Sequence, residues 1–189
     1  MADISPDRPP GRRLSPLAGW PGLAADGLHL AEIPFVSQVN LRLSPKGPAA
    51  DAAGLELGVP LPVEPNTVAR ADERAVLWLG PDEWLVVGGC DEPRLRAAVG
   101  TEPASVVDVS AQRTVVRVAG AHSRDLLAHG CSLDLHPSRF PPGRCAQTTL
   151  AHTPVVIVPL PGDVYWVLVR SSFARHLAEW LLDAAVEYH

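Results

Sequence analysis

The chain has 189 residues, 47% of them hydrophobic and 20% charged, with a formal net charge of −5. That length suits one domain, with or without a tail, and buries roughly 70% of the surface an extended chain exposes, so a core needs neither disulfide nor metal. The acidic balance offers no basic field and argues against binding of DNA or RNA.

The opening Met1 to Pro6 has no positively charged start leading into an apolar run, so no secretory signal is expected. Apolar runs such as Val155 to Val158 are strand-length and far too short to span a bilayer. Cys90, Cys131 and Cys145 form no CxxC and cannot all pair, which points to a reducing, cytoplasmic setting.

Residues 1–22 hold Pro6, Pro9, Pro10, Pro16 and Pro21 with Gly11, Gly19 and Gly22, a composition that cannot keep a helix. This stretch is expected to be a flexible Pro/Gly/Arg-rich arm, with residues 23–189 forming a single domain. The arm also carries Arg12, Arg13, Leu14, Leu17 and Trp20. Trp20 has two open readings: a surface for a partner, or an anchor onto this chain's own core.

Residues 28–43 alternate loosely as a long strand or strand pair broken at Pro34, which suggests an edge position or bulge there. A short helix is expected over 48–57, with Pro48 at its start and Gly58 just past its end. After a Pro-rich connection comes the most distinctive stretch, a hairpin over 75–88. Its apolar runs carry Trp78 and Trp84 on either side of Gly80-Pro81-Asp82-Glu83. Proline pre-sets the turn and Gly80 offers unusual backbone freedom, while the two tryptophans are placed to pair or to bracket one surface.

A short helix near 93–98 follows, closed by Gly100. A second unit is expected from Ser105: strands at 105–109 and 114–119, a helix at 121–129 ended by Gly130, then strands at 145–151, 154–160 and 164–170. The chain closes on a helix over 173–188, capped by Ser171 or Ser172. There Phe173, Leu177, Trp180, Leu181, Ala184 and Tyr188 form one apolar stripe. Strand pairs mixed with single helices imply an antiparallel-rich α+β fold, and no βαβαβ alternation supports a Rossmann unit.

Chemistry-bearing motifs are sparse. Neither G-x-x-x-x-G-K-[ST] nor G-x-G-x-x-G nor G-x-S-x-G occurs. His129, Cys131, His136 and Cys145 cluster in sequence, but their spacing matches no familiar zinc pattern and they read better as a helix-end cation and small apolar side chains. Asp82 and Glu83 adjoin on a turn, where solvation keeps a carboxylate ordinary. Asp108 lies in an apolar run and, if buried, needs a partner such as Arg113 or Arg117. No catalytic, cofactor or metal residue is assigned.

Six stretches in order carry a family resemblance: Leu14-Ser15-Pro16-Leu17, Gln38-Val39-Asn40-Leu41-Arg42, Trp78 to Leu85, Asp108 to Thr114, Gly130 to Leu135, and Ser172-Phe173-Ala174 with Trp180-Leu181-Leu182. Together they resemble the gamma-subunit family of heterotetrameric sarcosine oxidase. That family is similar to the N-terminal part of glycine-cleavage T proteins, the folate-dependent aminomethyltransferases, which implies a ferredoxin-like α+β fold with helices packed on an antiparallel-rich sheet. The Gly-rich, Asp-containing segment of those transferases is replaced here by Gln147 to Pro154, and their C-terminal barrel has no counterpart. Both departures argue against a complete folate site.

The resemblance implies a non-catalytic subunit without a cofactor of its own, supporting a complex that demethylates sarcosine to glycine with formation of hydrogen peroxide and 5,10-methylenetetrahydrofolate. It also implies alpha, beta and delta partner subunits that carry FAD, FMN, NAD, tetrahydrofolate and zinc. Arg12, Arg13, Trp20, Arg42 and Trp84 are the residues expected to meet partners. The alternatives are a stand-alone folate-binding one-carbon module, or a gamma-like subunit of a related N-methyl amine or amino-acid oxidase.

Overall fold

In most strands consecutive residues are apolar, so both faces of a sheet made from them must be covered. A computed structural model of the chain, describing residues 13–188, shows how this is done. Eleven strands and four α-helices are described: β1 (Leu23–Ala25), β2 (Leu28–Ile33), β3 (Gln38–Leu43), α1 (Pro48–Leu57), β4 (Val68–Ala71), β5 (Arg74–Gly80), β6 (Glu83–Val87), α2 (Glu92–Val99), β7 (Ala104–Asp108), β8 (Arg113–Ala119), α3 (Ser123–Ala128), β9 (Ala146–Leu150), β10 (Thr153–Leu160), β11 (Val164–Arg170) and α4 (Ala174–Ala184). Single 3-10 turns, Ser171–Phe173 and Ala185–Tyr188, flank α4.

The architecture is α+β and antiparallel, as expected, with its strands divided between two sheets. One runs β1-β2-β8-β11-β10-β9 and the other β4-β5-β6-β3-β7. The two-residue period of a strand sorts side chains into layers. Val76, Trp84 and Val86 turn outward against Ala53 and Leu57 of α1 and Leu95 and Val99 of α2. Their neighbours Ala75, Leu77, Leu85 and Val87 turn inward and meet Val115, Val156, Val158 and Leu168 of the other sheet. Val116, Val118, Val155, Ile157, Val167 and Val169 then face Leu126 and Leu127 of α3 and Leu177 and Leu181 of α4. The layers are therefore helix, sheet, sheet, helix, and each buried Val, Leu or Ile contributes about 1.5–3 kcal/mol.

Pro34 marks something larger than a bulge. It ends β2, Phe35 takes a left-handed φ of 59°, and the chain crosses from one sheet to the other before β3 begins. Helix α1 starts at Pro48 and ends where Gly58, at φ 76°, returns its N–H to Leu55. Gly80 is not left-handed; the hairpin accommodates the turn through a bulge between Trp78 and Gly80. Ser171 does not cap α4, because its hydroxyl donates to the Ala111 carbonyl.

Residues 13–22, the described part of the expected arm, lie against the domain. Pro16–Gly19 form a turn that sinks Leu17 to 3% exposure in the core beside α4. Trp20 packs half-buried on the same core, so it is anchored on this chain while part of its surface stays exposed. Arg12 lies outside the described residues.

Candidate functional site

The hairpin brings Trp78 and Trp84 directly opposite each other, as the sequence suggests. Trp84, expected to face a partner, is instead fully buried under α1 and α2, and its indole N–H donates to the Pro62 carbonyl at 2.8 Å. Its ring belongs to the outer, helix-facing alternation of β6, so it presents no surface. Arg42 does lie at the surface, paired with Asp82 at 3.2 Å. Glu83 accepts a hydrogen bond from the Asn40 side chain at 2.8 Å. The two turn carboxylates thus have separate polar partners, and no desolvated acid–base pair forms.

Asp108 is exposed because β7 is the edge strand of its sheet and buries Val106 alone. Neither Arg113 nor Arg117 pairs with it. The carboxylate accepts the Ser110 hydroxyl at 2.5 Å and the Ser110 N–H at 2.8 Å, and these two bonds hold its pKa below the usual aspartate value. Ser110 also accepts the backbone N–H of Gln38, a fully buried residue whose side chain donates to the Arg113 carbonyl. This is a turn lock joining β7 and β8 to β3.

The His/Cys cluster separates in space. Cys131 belongs to the core under α3 and α4, whereas Cys145 lies between the two sheets beside the Thr67 and Trp78 carbonyls. Burial pushes the Cys145 thiol up to about 11, and does the same to Cys90. His129 meets the Tyr188 hydroxyl at 3.0 Å, and His136 meets Ser138 at 2.8 Å. Among the described residues, no three His, Cys, Asp or Glu side chains converge so as to hold a metal ion.

One groove collects residues that the sequence keeps far apart. A hollow of about 400 Å³ is lined by Arg13, Leu14 and Pro16 of the N-terminal segment, Phe35 of the sheet crossing, Ser110, Arg113 and Thr114 around the start of β8, and Ser171 after β11. The Arg13 guanidinium stands 5.8 Å from the Phe35 ring centroid. Arg113 is half-buried, and burial, with Arg170 beside it, holds its pKa below the usual arginine value. Arginine donors with exposed apolar neighbours suit anionic groups or a partner surface. Sequence reasoning named Arg13 but missed Phe35, which the sheet crossing brings to the hollow, and Arg170, which the β8–β11 register sets opposite Arg113.

Residues 45–187 match the model of the sarcosine oxidase, gamma subunit family. The chain belongs to that family. The sarcosine oxidase subunit gamma of Arthrobacter sp. is 39% identical over 171 residues, covering 88% of this chain and 84% of its own. The corresponding protein of Corynebacterium sp. strain P-1 is 37% identical over the same length. Among solved structures, a chain of the heterotetrameric sarcosine oxidase from Corynebacterium sp. U-96, in complex with pyrrole 2-carboxylate, superposes with a TM-score of 0.87 at 34% identity. That match covers 93% of this chain and 96% of that one. Membership in the gamma-subunit family, expected from the six sequence stretches, is thereby established.

Proposed function

We infer that this chain works as the gamma subunit of a heterotetrameric sarcosine oxidase, acting through its surfaces without an active site of its own. The observation that carries the reading is the superposition, over nearly the full length of both chains, on a chain of that assembly. The local chemistry agrees with it. Asp82, Glu83 and Asp108 each have a structural partner, and both cysteines with raised pKa values are neutral thiols near neutral pH. In this reading the alpha, beta and delta subunits hold FAD, FMN, NAD, tetrahydrofolate and zinc. The complex oxidises sarcosine to glycine, releases hydrogen peroxide and passes the one-carbon unit to tetrahydrofolate. Among the described residues no helix is long and apolar enough to cross a membrane.

The test is co-expression with the flavin- and folate-binding subunits, with a tag on this chain alone, followed by size exclusion. A yellow complex that retains the tag and makes peroxide from sarcosine is the expected result. A colourless monomer would remove the basis of the reading, and tetrahydrofolate titration would then test the stand-alone module. That alternative needs a convergent carboxylate, and Asp108, its candidate, is exposed and committed to Ser110. To probe the N-terminal segment, deletion should stop at residue 12, because Leu17 is a core side chain.

A further inference from the structure

Strands β8 and β11 place Arg113 and Arg170 directly opposite each other on one face of the sheet. Like charges in that position destabilise a sheet, so such a pair normally has a carboxylate between or beside it. Among the described residues none lies within ion-pair distance of Arg113, Arg170 or Arg13. Arg113 reaches only the Gln112 side chain. The nearby acids are committed elsewhere. Glu32 accepts the hydroxyls of Ser15 and Thr114, both at 2.6 Å, and Thr114 points to the opposite face of β8 from Arg113. Glu83 holds Asn40 and Asp108 holds Ser110. Glu83 and Asp108 therefore act on Arg113 and Arg13 only from a distance, and among the described residues no carboxylate closes an ion pair with these guanidinium groups.

The rim of the pocket is apolar and exposed. Leu14 is 68% and Phe35 58% exposed. Phe35 reaches that position with a left-handed φ of 59°, a conformation that strains a bulky side chain and is kept only where the surroundings enforce it. An aromatic held outward under strain, beside unpaired guanidinium groups, has the composition of a binding hot spot. Two of the stretches singled out in the sequence, Leu14 to Leu17 and Asp108 to Thr114, converge on this groove.

We propose that this groove docks an acidic segment of a partner subunit, its carboxylate entering between Arg113 and Arg170 and an adjacent apolar side chain covering Phe35 and Leu14. The occupant is set by charge complementarity: arginine forks bind carboxylates bidentately, and an acid in this position relieves the repulsion across β8 and β11. The proposal rests on the gamma-subunit reading and adds to it a surface and the chemistry of the partner.

The test compares wild type with Arg113→Gln/Arg170→Gln and Phe35→Ser, each co-expressed with the partner subunits, with Arg139→Gln as a surface control. Two signs are expected to oppose each other. The double variant should retain about tenfold less partner than wild type, with a weaker salt dependence. As an isolated full-length chain it should melt at the same temperature or higher, because a repulsive pair is gone. Phe35→Ser should also weaken retention, and Arg139→Gln should not. Equal retention by wild type and the double variant would overturn the docking site while leaving the subunit reading intact. If wild type itself fails to assemble, both fall. A lower melting temperature for the double variant would mean that the arginine pair is already compensated within this chain, and a wild-type homodimer dissolved by the same changes would place the acid in a second copy. Either result overturns the proposal.

Discussion

Replacing Trp84 by Phe separates a core tryptophan from a surface one. The indole is fully buried between β6 and the helices α1 and α2, and its N–H donates to the Pro62 carbonyl at 2.8 Å. Phe keeps most of the apolar area but removes the donor. Pro62 is half-buried, so its carbonyl recovers some hydration, and the lost bond costs about 1–2 kcal/mol. The smaller ring leaves a void that packed neighbours fill only in part, adding about 1 kcal/mol. The total of about 2–3 kcal/mol is a sizeable share of a domain stability of about 5–15 kcal/mol. With a urea slope of about 2 kcal/mol/M, the midpoint falls by about 1–1.5 M and the slope stays unchanged. Circular dichroism of the isolated chain through a urea series measures this without relying on tryptophan emission. An unchanged midpoint combined with weaker assembly would refute the reasoning, since Trp84 would then be a contact residue and not a core residue.

Three further outcomes follow from local geometry. A Cβ at Gly130 would stand 2.7 Å from two ring atoms of Trp180 and 3.0 Å from the Ala151 nitrogen, so Gly130→Ala should cost about 1–3 kcal/mol in thermal melts. Trp180→Leu in the same chain should return part of that loss, a coupling that a double-mutant cycle reads directly. Ser110→Ala strands the N–H of buried Gln38 and should cost about 1–3 kcal/mol, more than Asp108→Ala, whose exposed turn water can re-solvate. Equal losses in the two variants would show that the Ser110–Gln38 bond contributes nothing. The thiols of Cys90 and Cys145 sit at about 11 in the fold against 9.0 for the free group, so the unfolded chain loses these protons first. Their contribution is complete below pH 9 and is lost as pH rises toward 11; Cys90→Ala/Cys145→Ala should flatten that decline in denaturation midpoints.

Much of the local structure was legible in the sequence, because punctuation residues act locally. Pro48 and Gly58 bound α1, Pro161 and Gly162 lie in the turn between β10 and β11, and the Gly80 to Glu83 turn pairs Trp78 with Trp84. What stayed hidden depends on partners distant in sequence. Alternation tells the two faces of a strand apart, yet β6 is apolar on both, so Trp84 could not be assigned to the helix side. Pro34 signals an interruption, but not that β2 and β3 leave it for different sheets. Asp108 looked buried because its sequence neighbours are apolar, and only the edge position of β7 explains why it is wet. The candidate groove was the least legible feature, since the register that sets Arg113 opposite Arg170 joins strands distant in sequence.

The layering also explains why the chemistry of this chain lies at its margins. A sheet with one face in water can place polar groups on that face and build a site there. Here each sheet has one face covered by helices and the other by its companion, so a polar side chain in the central strands would be desolvated without a partner. Gln38 is a buried exception, and its hydrogen bonds serve the β7–β8 turn. Functional polarity is thereby confined to places where a layer ends, such as the edge strand β7, the crossing at Phe35 and the ends of β8 and β11. Arg113 and Arg170 occupy such an end, one half-buried and one exposed. There a guanidinium remains charged while losing enough water to favour a carboxylate. A fold that spends its interior on four close-packed layers is suited to offering rigid edges to other chains, and the positive groove at this edge is where that capacity is concentrated.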